Sequence, residues 1–282
     1  MKKIITSLCL IAFTAIGYGQ IKTPDKSPLQ KISQKVGLTD ITLEYSRPSV
    51  RGRKIFGGLE DFGKVWRTGA NSNTTISLST DFMIDNQTIK AGTYAVYTIP
   101  GEKNWEIILY TDTNNWGTPK KWDDSKVAVK TTVPAENMPM TIETFTITFD
   151  NLTNNSFILG LLWENTMVNL PITLPTDNIV SKQIEAKMAG PSAQDMYAAA
   201  VYYLEADKDI KKAQNWIDTA VKMTADSPKF WFLRQQALIH AKAGNVKGAI
   251  AAAKESLKYA EKANNAGYIK MNKASLKEWG AL

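Results

Sequence analysis

The feature that most constrains this chain is a change of hydrophobic period at Pro175. Before it, apolar residues recur at every second position. Ile41, Leu43 and Tyr45 alternate with Thr42, Glu44 and Ser46, and Ile76 and Leu78 alternate with Thr75 and Ser77. A period of two belongs to strands with one face on a core. Further runs rich in Thr, Val, Ile and aromatics occupy residues 93–99, 105–110, 126–133, 141–149, 156–163 and 167–174. That composition suits a pleated, half-buried surface. Turn-forming residues separate the runs, at Asp85-Asn86, Lys90-Ala91-Gly92, Pro100-Gly101 and Asn154-Asn155. Roughly eight or nine short strands without intervening helices predict an antiparallel β-sandwich or jelly roll.

Beyond Pro175 the period is helical. Asp177 is placed to cap a first helix and Gly190-Pro191 to end it. An internal repeat follows with a shift of 36 residues: Asp209-Ile210-Lys211-Lys212-Ala213 aligns with Asn245-Val246-Lys247-Gly248-Ala249, and Trp216, Ala220 and Val221 align with Ala252, Ser256 and Leu257. Val201 and Ala237 hold equivalent places on the preceding helices. This resembles the tetratricopeptide pattern, in which small residues let two antiparallel helices approach closely. Two units and a last helix near residues 268–279 are fewer than a free-standing array needs, so the tail is expected to lean on the β-region or on a protein partner. The expected class is α+β in several domains: a signal peptide over 1–19, a β-sandwich domain over 20–175 and a helical tail over 176–282.

The amino terminus reads as a secretory signal. Lys2 and Lys3 precede an apolar stretch from Ile4 to Ile16, and Gly17-Tyr18-Gly19 offers small residues for cleavage before Gln20. The apolar run falls short of the roughly 20 residues that span a bilayer. Cys9 follows Leu8 in mid-run, which argues against a lipid-anchored cysteine. The expected product is exported, periplasmic or secreted, with no membrane span. It also has no cysteine, so its stability rests on core burial. The charge is unevenly divided. Residues 20–175 carry 16 basic and 16 acidic side chains, and residues 176–282 carry 16 and 11. Those basic residues are interspersed with acids rather than blocked together, which speaks against nucleic acid as a partner.

The β-region also resembles a family of exported bacterial proteins known as domain of unknown function 2911, over roughly residues 27–174. The resemblance rests on Val36-Gly37-Leu38-Thr39-Asp40, Tyr45-Ser46-Arg47-Pro48, Arg51-Gly52-Arg53-Lys54-Ile55-Phe56-Gly57 and Trp66-Arg67-Thr68-Gly69-Ala70-Asn71, with Ala91-Gly92-Thr93-Tyr94, Ile99-Pro100 and Trp116-Gly117. It implies a β-rich envelope domain, often followed by helices, and no particular activity. Asp61 and Phe62 stand where such proteins usually have proline and tyrosine.

The chemistry that the residues permit is narrow. The mature chain has one histidine, His240, among apolar neighbours of a repeat helix. A histidine-based catalytic set in the β-region and a multi-histidine metal site are therefore both excluded. No cofactor or metal is implied. The positive signal is arginine. Five arginines stand against 29 lysines, and four of them, Arg47, Arg51, Arg53 and Arg67, fall within residues 47–67. A protein whose default cation is lysine uses arginine where a planar fork must bind carboxylate or phosphate. Asn71 adds neutral hydrogen bonds, and Trp66 beside Arg67 invites guanidinium stacking. The other reading of the cluster is structural, with the arginines pairing to Glu44, Glu60, Asp61 or Glu164 to pin loops.

Trp105 and Trp163 lie within strand patterns and are expected in the core. Trp116 and Trp122 lie in the polar stretch 112–125, where they either stack on sugar rings or close one end of the sheet. The candidate ligand-binding residues are thus Arg47, Arg53, Arg67, Asn71 and Trp116, for a small anionic or glycan ligand. The expected role is non-catalytic binding or scaffolding in the cell envelope, with the helical tail meeting a protein partner. The rivals are a glycan hydrolase using two carboxylates and a purely structural protein.

Overall fold

The computed structural model describes residues 23–188 and 190–282, so the signal sequence read at residues 1–19 lies outside the described residues. Strands β1 (Leu29–Val36) and β2 (Thr39–Ser46) form a hairpin, and β3 (Ala70–Leu78) follows after a long excursion that carries all four clustered arginines. The short β4 (Phe82–Ile84) and β5 (Gln87–Ile89) turn at Asp85-Asn86, both with positive φ. Then come β6 (Gly92–Ile99), β7 (Asn104–Tyr110), β8 (Val127–Asp150) and β9 (Ser156–Thr173). The named strands pair antiparallel in the order β1-β2-β3-β6-β7-β8-β9-β4-β5.

Two pairs of expected short strands are fused. The runs at 126–133 and 141–149 belong to one strand of 24 residues, and those at 156–163 and 167–174 to one of 18. The first part of β8 pairs with β7 as far as Pro134, and the remainder pairs with β9. The register shifts between Asn137 and Ile142 and again before Thr146, and Glu164 opposite has a φ of +53. Such irregularities bend a strand without ending it. The sheet therefore curls around one core. Tyr45 of β2 meets Phe145 of β8 edge-on at 5.8 Å, and Trp163 of β9 stacks on Trp66 at 5.7 Å. Trp105 and Trp163 are core residues, as expected.

Trp66 is not a surface platform for Arg67. It is 3% exposed, its indole donates to Gly69 O at 3.1 Å, and it sits among Phe56, Trp105, Phe145 and Trp163. Adjacent residues of an extended segment point to opposite faces, so burying Trp66 sends Arg67 outward.

Six helices follow: α1 (Thr176–Lys187), α2 (Ala193–Glu205), α3 (Ile210–Met223), α4 (Phe230–Lys242), α5 (Val246–Lys262) and α6 (Ala266–Glu278). An antiparallel β-region followed by helices is the α+β class expected. Asp209 and Asn245, the aligned repeat positions, are both N-caps, accepting from Lys211 and Lys212 N and from Gly248 N. The aligned Ala213 and Ala249, and Ala220 and Ser256, are fully buried between helices. His240 is buried too, with Nε2 2.7 Å from Asp218 Oδ1 and Nδ1 3.0 Å from Asn245 Nδ2.

Asp177 does not cap α1. The N-cap is Pro175, which has no side chain to accept a bond, and Asp177 lies in the first turn. Its carboxylate accepts from Lys208 Nζ at 2.6 Å and Tyr202 Oη at 2.8 Å, and these two bonds hold its pKa below the usual carboxylate range. Its own N–H donates to Asn155 Oδ1 at 2.9 Å. One residue thus ties the β8–β9 turn to the second helix and the loop after it. Gly37 closes the same junction: its φ is +55, and a Cβ there would collide with Asn154 O and Thr176 Oγ1.

Candidate functional site

The excursion between β2 and β3 is held at intervals, and the holding points decide where its arginines go. Val50 N donates to Glu143 O at 2.7 Å, which lays the first part along β8. A turn at Arg51-Gly52 has positive φ at both residues. Ile55 and Phe56 then enter the core, and a tight turn returns the chain, with Gly57 N donating to Glu60 O at 2.9 Å. Trp66 exchanges two backbone bonds with Thr98 at 2.7 and 3.0 Å. Thr68 (φ 56) and Asn71 (φ 59) follow in left-handed conformations. Left-handed backbone is strained for a β-branched threonine, and such strain gathers at functional sites. Here Thr68 is fully buried, and its carbonyl accepts from Thr74 Oγ1 at 2.6 Å.

The outcome is a cavity of about 310 Å³ bordered by Arg51, Arg53, Glu60, Arg67, Asn71 and Trp163. Three of the five sequence-predicted residues behave differently from the other two. Arg53, Arg67 and Asn71 converge on the cavity, joined by Arg51. Arg47 is directed elsewhere: Nε donates to Phe145 O at 2.9 Å and Nη2 to Thr146 Oγ1 at 2.7 Å, clamping the chain to β8. Trp116 lies on a neighbouring groove that shares Asn71 as a wall.

None of these four arginines forms an ion pair among the described residues. They hold loops through carbonyl oxygens instead. Arg51 Nη2 donates to Lys26 O at 2.8 Å, Arg53 Nε and Nη2 to Val50 O and Ser49 O at 3.0 and 2.6 Å, and Arg67 Nη1 to Asn71 O at 2.8 Å. Two of the acids proposed to neutralise them have other work. Glu44 pairs with Lys31 at 3.5 Å, and Glu164 Oε1 accepts from Ile55 N at 3.3 Å. A guanidinium has five N–H donors, so each keeps donors beyond these bonds. Trp163 adds a buried indole N–H without a partner among the described residues.

Glu60 is the residue whose importance sequence reasoning understated. It is half-buried at the cavity wall, and desolvation pushes its carboxyl up to about 7, outweighing the opposing pull of Arg67 and Arg53. Its position follows from the Gly57-Gly58 turn, which folds it back once Ile55 and Phe56 are buried. The signal available in the sequence was an acid two residues after the glycine pair that follows Ile55 and Phe56. No other carboxylate among the described residues borders this cavity. Asp123 is spent on Ser125 and Asp112 on Lys126, and no group of three or more His, Cys, Asp or Glu suited to a metal occurs among the described residues. Trp122 packs on Tyr110 and Tyr97 at 4.7 and 5.6 Å, in a second apolar cluster on the face of β6 and β7 opposite the main core.

A family model described as "Protein of unknown function (DUF2911)" matches residues 27–172. The chain belongs to the DUF2911 family. In this DUF2911 protein the matched segment begins at Ser27, on the cavity wall, contains the whole arginine excursion, and ends inside β9 before the helices. No curated protein and no solved structure matches the chain. Chemically, the DUF2911 cavity offers several N–H donors, four basic side chains (Lys26, Arg51, Arg53 and Arg67) and one carboxyl that is protonated below about pH 7. Such a set of donors and cations can complement a carboxylate or phosphate group.

Proposed function

We propose that this protein is a non-catalytic binding protein of the cell envelope whose β-domain, sandwich-like in the way it curls over its core, holds a small anionic ligand among Arg51, Arg53 and Arg67. The observation that carries the reading is the convergence of three arginines on one cavity without an ion pair among the described residues. Guanidinium forks are suited to carboxylate and phosphate groups. Export is supported by the tripartite amino terminus, with residues 1–19 removed before Gln20. The helical tail, tetratricopeptide-like in its 36-residue repeat and matched N-caps, serves in this reading as the surface for a protein partner.

A thermal-shift screen of uronic acids, sugar phosphates and dicarboxylates on wild type and Arg67→Lys tests the site. Lysine keeps the charge and loses the fork, so binding should weaken about tenfold or more while the fold survives. Destabilisation by the substitution, with no compound shifting wild type, would leave Arg67 as a loop clamp and sink the reading.

A further inference from the structure

Beside the arginine cavity runs a larger groove of about 900 Å³, and its character is different. No lysine or arginine among the described residues borders it, and its two charged residues, Asp25 and Glu44, are acids. The rest of its polar lining is amide and hydroxyl, with Asn71, Ser72, Asn73 and Thr75 leading along β3. At its rim stands Trp116, 78% exposed. An indole this exposed contributes nothing to the core, yet its loop is firmly docked. Asn73 is buried, its Oδ1 accepts from Asn115 N at 2.8 Å, and its N–H donates to Asn115 O at 3.0 Å. Tyr97 Oη donates to Gly117 O at 3.2 Å.

The groove and the cavity share a wall. Asn71 borders both, and its Nδ2 reaches Ser46 Oγ on one side and Ser27 O on the other, at 3.3 and 3.2 Å. The tryptophan loop also touches the arginine wall: a Cβ at Gly117 (φ +91) would come within 3.0 Å of the Arg67 guanidinium. An aromatic face beside amides and hydroxyls fits a sugar ring, with apolar C–H groups on the indole and hydroxyls on Asn and Ser. A chain charged along its whole length would meet Asp25 and Glu44 in the groove. A glycan with one acidic end would not.

Resting on the anion-binding reading above, we propose that the groove and the cavity form one extended site for an acidic oligosaccharide, with a neutral sugar stacked on Trp116 and the anionic sugar seated among Arg51, Arg53 and Arg67. The two volumes, about 900 and 310 Å³, lie in the range of small-molecule sites, roughly 300–1,000 Å³.

The test is isothermal titration of the mature full-length protein with four probes: inorganic phosphate, glucuronate, an aldobiouronate in which glucuronate is linked to xylose, and neutral xylobiose. The aldobiouronate should bind about five- to tenfold tighter than glucuronate, the gain expected of one aromatic stacking contact. Trp116→Ala should erase that gain and leave glucuronate unchanged. Its indole is outside the core, so the melting temperature should hold. Arg67→Lys should weaken both acids by a similar factor. Equal affinity for the two acids, or a Trp116→Ala protein that still prefers the disaccharide, would remove the groove from the site and leave the anion reading standing. Xylobiose binding as tightly as the aldobiouronate would overturn the acidic-glycan assignment. Failure of every acidic probe, phosphate included, would overturn the anion reading with it.

Discussion

Replacing Glu60 with Gln should stabilise the protein at pH 8 and leave its stability nearly unchanged below about pH 4, under the unfolded value of 4.5. The carboxyl is raised from 4.5 to about 7 by burial, against the pull of Arg67 and Arg53. Between those values the folded protein keeps a proton that the unfolded chain has released. Stability therefore falls as pH rises through this window, and the full cost is present above about 7. The shift corresponds to at most about 3 kcal/mol, and solvent screening of a partly exposed group reduces that to about 1–2 kcal/mol. Glutamine keeps the shape and cannot ionise. Calorimetric melts in a buffer free of small anions should show Glu60→Gln about 3–6 °C above wild type at pH 8. Below about pH 4, under the unfolded value of 4.5, the two should nearly coincide. A Gln variant that melts lower than wild type at pH 8 would mean that the carboxylate is stabilised by its arginines, and the desolvation argument would fail.

The same carboxyl should make anion binding depend on pH. Glucuronate, ionised throughout, should bind about three- to tenfold tighter at pH 6 than at pH 8, and Glu60→Gln should flatten the profile. Arg47→Lys should lose the bonds to Phe145 O and Thr146 Oγ1, costing about 1–2 kcal/mol in denaturant melts while leaving glucuronate affinity unchanged. Gly37→Ala should destabilise by about 2 kcal/mol or more, because the position is left-handed and its Cβ would strike Asn154 O and Thr176 Oγ1; circular dichroism melts would read it. Mature protein recovered from the envelope or medium should begin at Gln20, as Edman sequencing would establish.

The sequence made the large divisions readable because they rest on period alone. Ile41, Leu43 and Tyr45 declare a strand whichever neighbour it pairs with, and the matched Asp209 and Asn245 declare two helix starts. The length of β8 was hidden because Pro134 and Pro139, with polar residues around them, look like a break. Here the strand changes partner from β7 to β9 and needs fewer ladder bonds at that point. Arginine scarcity identified the right segment but could not sort Arg47 from Arg53 and Arg67. That sorting depends on which face of the excursion is anchored, and the anchors are Val50, Phe56 and Trp66. Glu60 and Asp177 were visible as acids, while their roles come from long-range partners that no local pattern encodes.

The most direct test of the central claim uses the small number of arginines. The chain has five, so its arginine side chains give at most five Nε–H signals in nitrogen-edited spectra. Titration with glucuronate should move the signals of Arg51, Arg53 and Arg67 saturably and together, with Arg47 and Arg234 unmoved. Arg47 is bound to β8, and Arg234 is bound to Ser275 at 2.9 Å in the helical tail, so neither faces the cavity. Five signals that drift together with ionic strength, or three cavity arginines that do not respond, would contradict the account.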